Sequence, residues 1–111
     1  MENTVRLSDQ ELIEIAWEAV RAHIEPSDYQ GSNIEIDHKL PNYSPTEPDV
    51  LEPEQIWVWL NHPAGSSLKD TRATVRANSA LSTLAEARGD KRDFLLFHGF
   101  SETRFKRAAA A

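Results

Sequence analysis

Four histidines, His23, His38, His62 and His98, are the side chains of this sequence best suited by type to proton transfer or metal ligation. A histidine metal site legible in sequence has short local spacing, such as two imidazoles four residues apart on one helical face. Here successive histidines stand 15, 24 and 36 residues apart, and only His38 has an adjoining carboxylate, Asp37. No metal site and no cofactor is expected from that pattern. Cysteine is absent, which removes disulfides and thiolate ligands alike. Gly31, Gly65, Gly89 and Gly99 are scattered, so neither a phosphate loop nor a dinucleotide fingerprint forms, and no Gly-x-Ser-x-Gly nucleophile elbow occurs. Catalytic residues are therefore left unassigned. A small enzyme using His38, His62 or His98 as its acid–base group is the third reading, after the two that follow.

The strongest binding signal is aromatic. Gln55-Ile56-Trp57-Val58-Trp59-Leu60 is rich in branched and aromatic residues and reads as a strand. Side chains two apart on a strand share a face, so Trp57 and Trp59 lie side by side and Ile56, Val58 and Leu60 point the other way. Two outcomes are open. Buried, the indoles fill much of a small core and need N–H partners; exposed, they are the residue type that dominates protein interfaces. The segment just before them carries Pro41, Pro45, Pro48 and Pro53 together with Glu47, Asp49, Glu52 and Glu54, a composition that favours an extended acidic loop. Pro45-Thr46-Glu47-Pro48 also has the outline of a polyproline ligand. The first functional expectation is a non-enzymatic protein-binding module of the adaptor, inhibitor, chaperone or immunity type. Trp57, Trp59 and His62 are its contact residues, and Glu47, Asp49, Glu52 and Glu54 its acidic rim.

Charge supplies the second reading. Residues 1–54 hold 13 acidic and 3 basic side chains, whereas residues 55–111 hold 5 acidic and 9 basic. Arg88, Lys91, Arg92, Arg104, Lys106 and Arg107, near Phe100 and Phe105, have the composition of a single-stranded nucleic-acid surface. The overall pI of about 5.1 is far from the basic range of such domains. Opposed halves also suit a mixed surface within one chain, or a homodimer in which the acidic half of one copy meets the basic half of the other.

The elements that must position these residues follow from periodicity. Ser8-Asp9-Gln10-Glu11 is a capping box, and Leu12, Ile15, Ala16, Ala19 and Val20 behind it trace one helical face, predicting a helix over 9–24 that Pro26 stops. Residues 27–32 read as a turn, and 33–38 alternate as a half-buried strand. Residues 66–89 carry a helical stripe that is firm over 79–88 and open between helix and strand over 68–75. Residues 94–98 form a second apolar strand, and Ser101 caps a short basic helix over 102–107.

The 111 residues suit one domain, expected over 1–107 with an alanine tail at 108–111. With 40% apolar and 27% charged residues the composition is that of an ordinary globular chain. Met1–Arg6 lacks the features of a secretory leader and no run is long enough for a membrane span, so a cytoplasmic protein is expected. The fold class is α+β: a small three-stranded sheet, at least partly antiparallel, against two main helices, with a long proline-rich acidic loop.

Overall fold

The computed structural model describes residues 5–39, 42–43, 46–47, 49, 51–52 and 54–110. Helix α1, Asp9–His23, starts where the capping box places it. The Ser8 hydroxyl accepts from the Glu11 N–H at 3.2 Å, and the Ser8 N–H donates to the Glu11 carboxylate at 3.1 Å. Two donors that a helix start leaves open are thereby satisfied. Pro26 does more than stop this helix. It opens a one-turn helix, α2, Pro26–Tyr29, inside the predicted turn, because its fixed φ and missing N–H suit a first helical position.

Strand β1, Asn33–Lys39, comes next. Within the proline-rich segment, β2 (Asn42–Tyr43) pairs antiparallel with β3 (Leu51–Glu52) as a two-residue ladder. Pro41, Pro45, Pro48 and Pro53, and with them the polyproline outline, lie outside the described residues. Strand β4, Gln55–Asn61, is followed by α3 (Arg72–Ala87), β5 (Asp93–Gly99) and α4 (Glu102–Ala110). The open stretch at 68–75 is therefore loop and then helix. The Ser101 hydroxyl accepts from the Arg104 N–H, as its capping role requires, and α4 continues through the first three of the four alanines.

The fold is α+β. Its main sheet has the order β1-β4-β5 and is mixed, since β4 pairs antiparallel with β1 and parallel with β5. A parallel pair cannot be joined by a tight turn, and α3 supplies the long connection. Ile34, Ile56, Val58, Leu60, Phe94 and Leu96 project from one face of the sheet into a core shared with Leu12, Ile15 and Val20 of α1 and Ala77 and Leu81 of α3. Among the described residues no helix is long and apolar enough to cross a membrane.

One polar cluster clamps the end of the domain where β4 and β5 begin. Asp90 is only 1% exposed. Its carboxylate accepts from the Leu7 N–H at 3.0 Å and from the Arg92 guanidinium at 2.7 Å. Arg92 also donates to the Leu7 carbonyl and to Glu54, which Arg6 reaches as well. Burial by itself raises the Asp90 carboxyl, but the bonds from Arg92 and from the backbone hold it below its ordinary value. Removing one member strands the other as a buried charge, which costs about 3–5 kcal/mol. Asp90→Ala is therefore expected to lower the urea-unfolding free energy by that order, and Asp90→Ala with Arg92→Met to recover part of the loss.

Candidate functional site

The sheet face turned away from α1 and α3 carries Trp57 and Trp59 of β4 with Leu95 and Phe97 of β5. All four side chains are half-buried. Their grouping is a consequence of register, because Trp57 stands opposite Leu95 and Trp59 opposite Phe97. The indoles meet edge-on with centroids 6.2 Å apart, and Phe97 lies 5.0 Å from Trp57 and 5.1 Å from Trp59. On the other side β1 places Asp37 opposite Trp57 and Glu35 opposite Trp59. Lys39, paired with Asp37 at 3.1 Å, sits 4.6 Å from the Trp57 ring. From α4 the Arg104 guanidinium lies 4.0 Å over Trp59 and binds Glu35 at 3.0 Å, with Arg107 on the same carboxylate at 2.6 Å. The Arg107 hydrogen bond is the main reason the Glu35 carboxyl lies below its ordinary value, outweighing burial, with Arg104 adding to it. The Trp57 N–H donates to Gln55 at 3.0 Å. The Trp59 N–H is buried without a partner among the described residues.

His62 does not join the tryptophans. It is 3% exposed and belongs to a polar chain at the carboxyl ends of the parallel strands. Ser32 Oγ lies 2.9 Å from His62 Nδ1, His62 Nε2 lies 2.7 Å from His98 Nδ1, and His98 Nε2 lies 2.5 Å from Thr74 Oγ1. Phe100, 56% exposed, stacks on the His62 ring at 5.1 Å. Only one proton fits between the facing imidazole nitrogens, so two neutral rings carry the hydrogen bonds in one direction along the whole chain. Asp28, 4% exposed and accepting from the backbone N–H groups of Lys69 and Asp70, is the buried charge that acts on both rings. Burial outweighs it. It lowers the pKa of His62, and together with the neighbouring His62 it pushes His98 down to about 4.

The remaining predicted contacts are dispersed. Glu54 lies at the start of β4, bound to Arg6 and Arg92, and so contributes no free charge to a rim. Glu47 and Asp49 are exposed, and the Glu52 side chain lies outside the described residues. Of the six basic residues, Arg88, Lys91 and Arg92 precede β5, Arg104, Lys106 and Arg107 follow it on α4, and five of the six are engaged in ion pairs. Arg88 binds Glu11, Arg92 binds Asp90 and Glu54, Arg104 and Arg107 bind Glu35, and Lys106 binds Glu102. Lys91 is exposed. His38 is exposed on β1 beside Asp9 at 2.7 Å, remote in the sheet from the other two histidines. Among the described residues no three His, Asp or Glu side chains converge as a metal cluster would require. Sequence reasoning missed Phe97 and Arg104 on the aromatic face, and Ser32 and Thr74 in the polar chain. Phe97 alone had a signal, the doubly apolar run of β5.

No family model matches the chain, and neither the curated proteins nor the solved structures contain a match.

The histidine pair sets a pH dependence. Both folded pKa values lie below the unfolded value of about 6.5, so the unfolded chain binds more protons as pH falls from there towards 4. Stability is full above pH about 6.5 and declines through that window. Urea midpoints measured between pH 7 and 5, above the range where the carboxylates titrate, are expected to fall with pH in the natural protein and to be flatter in His98→Gln.

Proposed function

We propose that this chain is a protein-binding module that docks its partner on the Trp57–Trp59–Phe97 face of the sheet. The observation that carries the reading is the three-ring cluster on a face that neither long helix covers. An aromatic centre partly shielded from water, with charged groups around it, is the organisation of an interface hot spot. Glu35, Asp37, Lys39 and Arg104 form that surround here. Their ion pairs are largely settled within the domain, so affinity comes from the rings and orientation from the charges. The split between acidic and basic halves is met inside one chain, by Arg88 on Glu11, Arg92 on Glu54, and Arg104 and Arg107 on Glu35. The aromatic face therefore carries this reading without help from the charge split.

The test separates binding from folding. Neither indole belongs to the cluster packed under α1 and α3, so Trp57→Ala and Trp59→Ala are expected to keep a cooperative thermal transition and an unchanged far-ultraviolet dichroism spectrum. Proteins captured by the natural chain from its own cell extract are expected to be lost from both variants. For the leading captured protein, affinity should fall by more than tenfold, the loss of about 1.4 kcal/mol or more that marks a hot-spot residue. Folded variants with undiminished capture would overturn the reading.

A further inference from the structure

We propose that Ser32, His62 and His98 form a nucleophile, a base and a positioning residue, and that Ser32 accepts the acyl group of small apolar esters. This goes beyond the binding reading and uses none of the residues of the aromatic face. The first support is geometry. Ser32 Oγ and His62 Nδ1 are 2.9 Å apart, within the reach over which an imidazole removes a hydroxyl proton. The base is held in turn by a third group. His98 receives His62 Nε2 at 2.7 Å and is itself fixed by Thr74 at the first turn of α3. When Ser32 donates to His62 Nδ1, His62 Nε2–H donates to His98 Nδ1 and His98 Nε2–H donates to Thr74, so every hydrogen bond is satisfied in the tautomer a base requires.

Place and surroundings agree with the geometry. The histidine pair sits at the carboxyl ends of β4 and β5, His98 as the penultimate residue of β5 and His62 just after β4, the end at which parallel strands deliver side chains into the loops that form sites. Ser32 is half-buried, and the exposed Phe100 ring against His62 supplies an apolar surface for the acyl chain. Burial keeps both imidazoles neutral at pH 7, so His62 Nδ1 accepts from Ser32 whenever the hydrogen bonds run from Ser32 towards Thr74. Asp28, the buried carboxylate whose charge favours protonation of both rings, stabilises the imidazolium that forms during transfer.

In the reaction, Ser32 gives its hydroxyl proton to His62 Nδ1 while its Oγ bonds to the ester carbonyl carbon. The bond from that carbon to the alkoxy oxygen then breaks, and the proton passes from Nδ1 to the departing oxygen to release the alcohol. Water reverses the sequence. It gives a proton to Nδ1, its oxygen bonds to the acyl carbon, and Ser32 Oγ leaves with the proton as the carboxylic acid departs.

The test uses the intact chain with an alkyl fluorophosphonate, read by peptide mass spectrometry, and p-nitrophenyl acetate, read by p-nitrophenolate release. One phosphonyl group on Ser32 is expected, with none on the other eight serines, and none after unfolding in urea. Ser32→Ala should abolish labelling and the release above background. His62→Gln should slow both by about a hundredfold, the lower range for loss of a general base. His98→Gln should leave Ser32 reactive but move the inflection of the release rate with pH, which a purely structural role does not predict. Far-ultraviolet dichroism establishes that each variant is folded. Absence of an adduct on Ser32 in the folded natural chain, or equal labelling of other serines, would overturn the proposal and leave the aromatic-face reading untouched.

Discussion

Strand β4 is apolar on both faces, and the domain supplies a layer of long helices for only one of them. Ile56, Val58 and Leu60 are fully buried beneath α1 and α3, and that burial is the main source of stability available to a chain this small. Once both long helices are committed there, Trp57 and Trp59 have no second layer to enter. The sheet accommodates them by context instead. Phe97 and Leu95 flank them on β5, the carboxylates of β1 stand opposite, and Lys39 and Arg104 lie over the rings. A cation over an exposed indole contributes about 0.5–1 kcal/mol, enough to orient a ring without hiding it. The aromatic face is thus an outcome of how the layers are apportioned.

The same economy organises the charges. Arg88, Arg92, Arg104 and Arg107 from the second half all reach carboxylates of the first, so an imbalance along the chain becomes a stitched surface in the fold. Exposed pairs of this kind contribute little to stability. Asp90 with Arg92 differs, because both side chains are withdrawn from water and the pair also satisfies the Leu7 backbone on both its N–H and its carbonyl. That clamp fixes where the chain enters α1 relative to the start of β5. Gly89 beside it has φ +92°, and a Cβ there would meet Val5 at 2.8 Å, so the turn out of α3 has room only for glycine.

What was legible in the sequence was what local spacing controls. The capping box of α1 involves residues three apart, and the two faces of β4 follow from a period of two. Pro26 shows the limit of such reading, since the same ring that stops one helix can open the next. The candidate sites lie further beyond it. Phe97 joins the tryptophans only because β5 runs parallel to β4 in a register that no local pattern encodes. His62 and His98 are 36 residues apart in sequence, and they meet because both lie where the parallel strands end, with the His62 N–H bonded to the Gly99 carbonyl. Ser32 and Thr74 are residues of common type whose role comes entirely from that meeting.

Register is the quantity both regions share. A slip of one residue in β4 would turn the tryptophans inward and the aliphatic residues out, and would carry His62 away from His98. The end of the strand resists it. Asn61 is fully buried on the tryptophan side, where its amide donates to Asn33 at 3.3 Å, and Asn33 in turn donates to the Phe105 carbonyl of α4 at 3.0 Å. Gly99 has no Cβ, and one added there would stand 2.5 Å from Asn61 Oδ1, so the end of β5 lies against Asn61 only with glycine at this position. Asn61 thereby ties β1, β4, β5 and α4 together at one point. On one side of that point α4 is held where Arg104 covers Trp59; on the other the backbone passes directly into His62. The aromatic face and the histidine chain are consequently two products of a single fixed register, and the buried asparagine at its end holds them both.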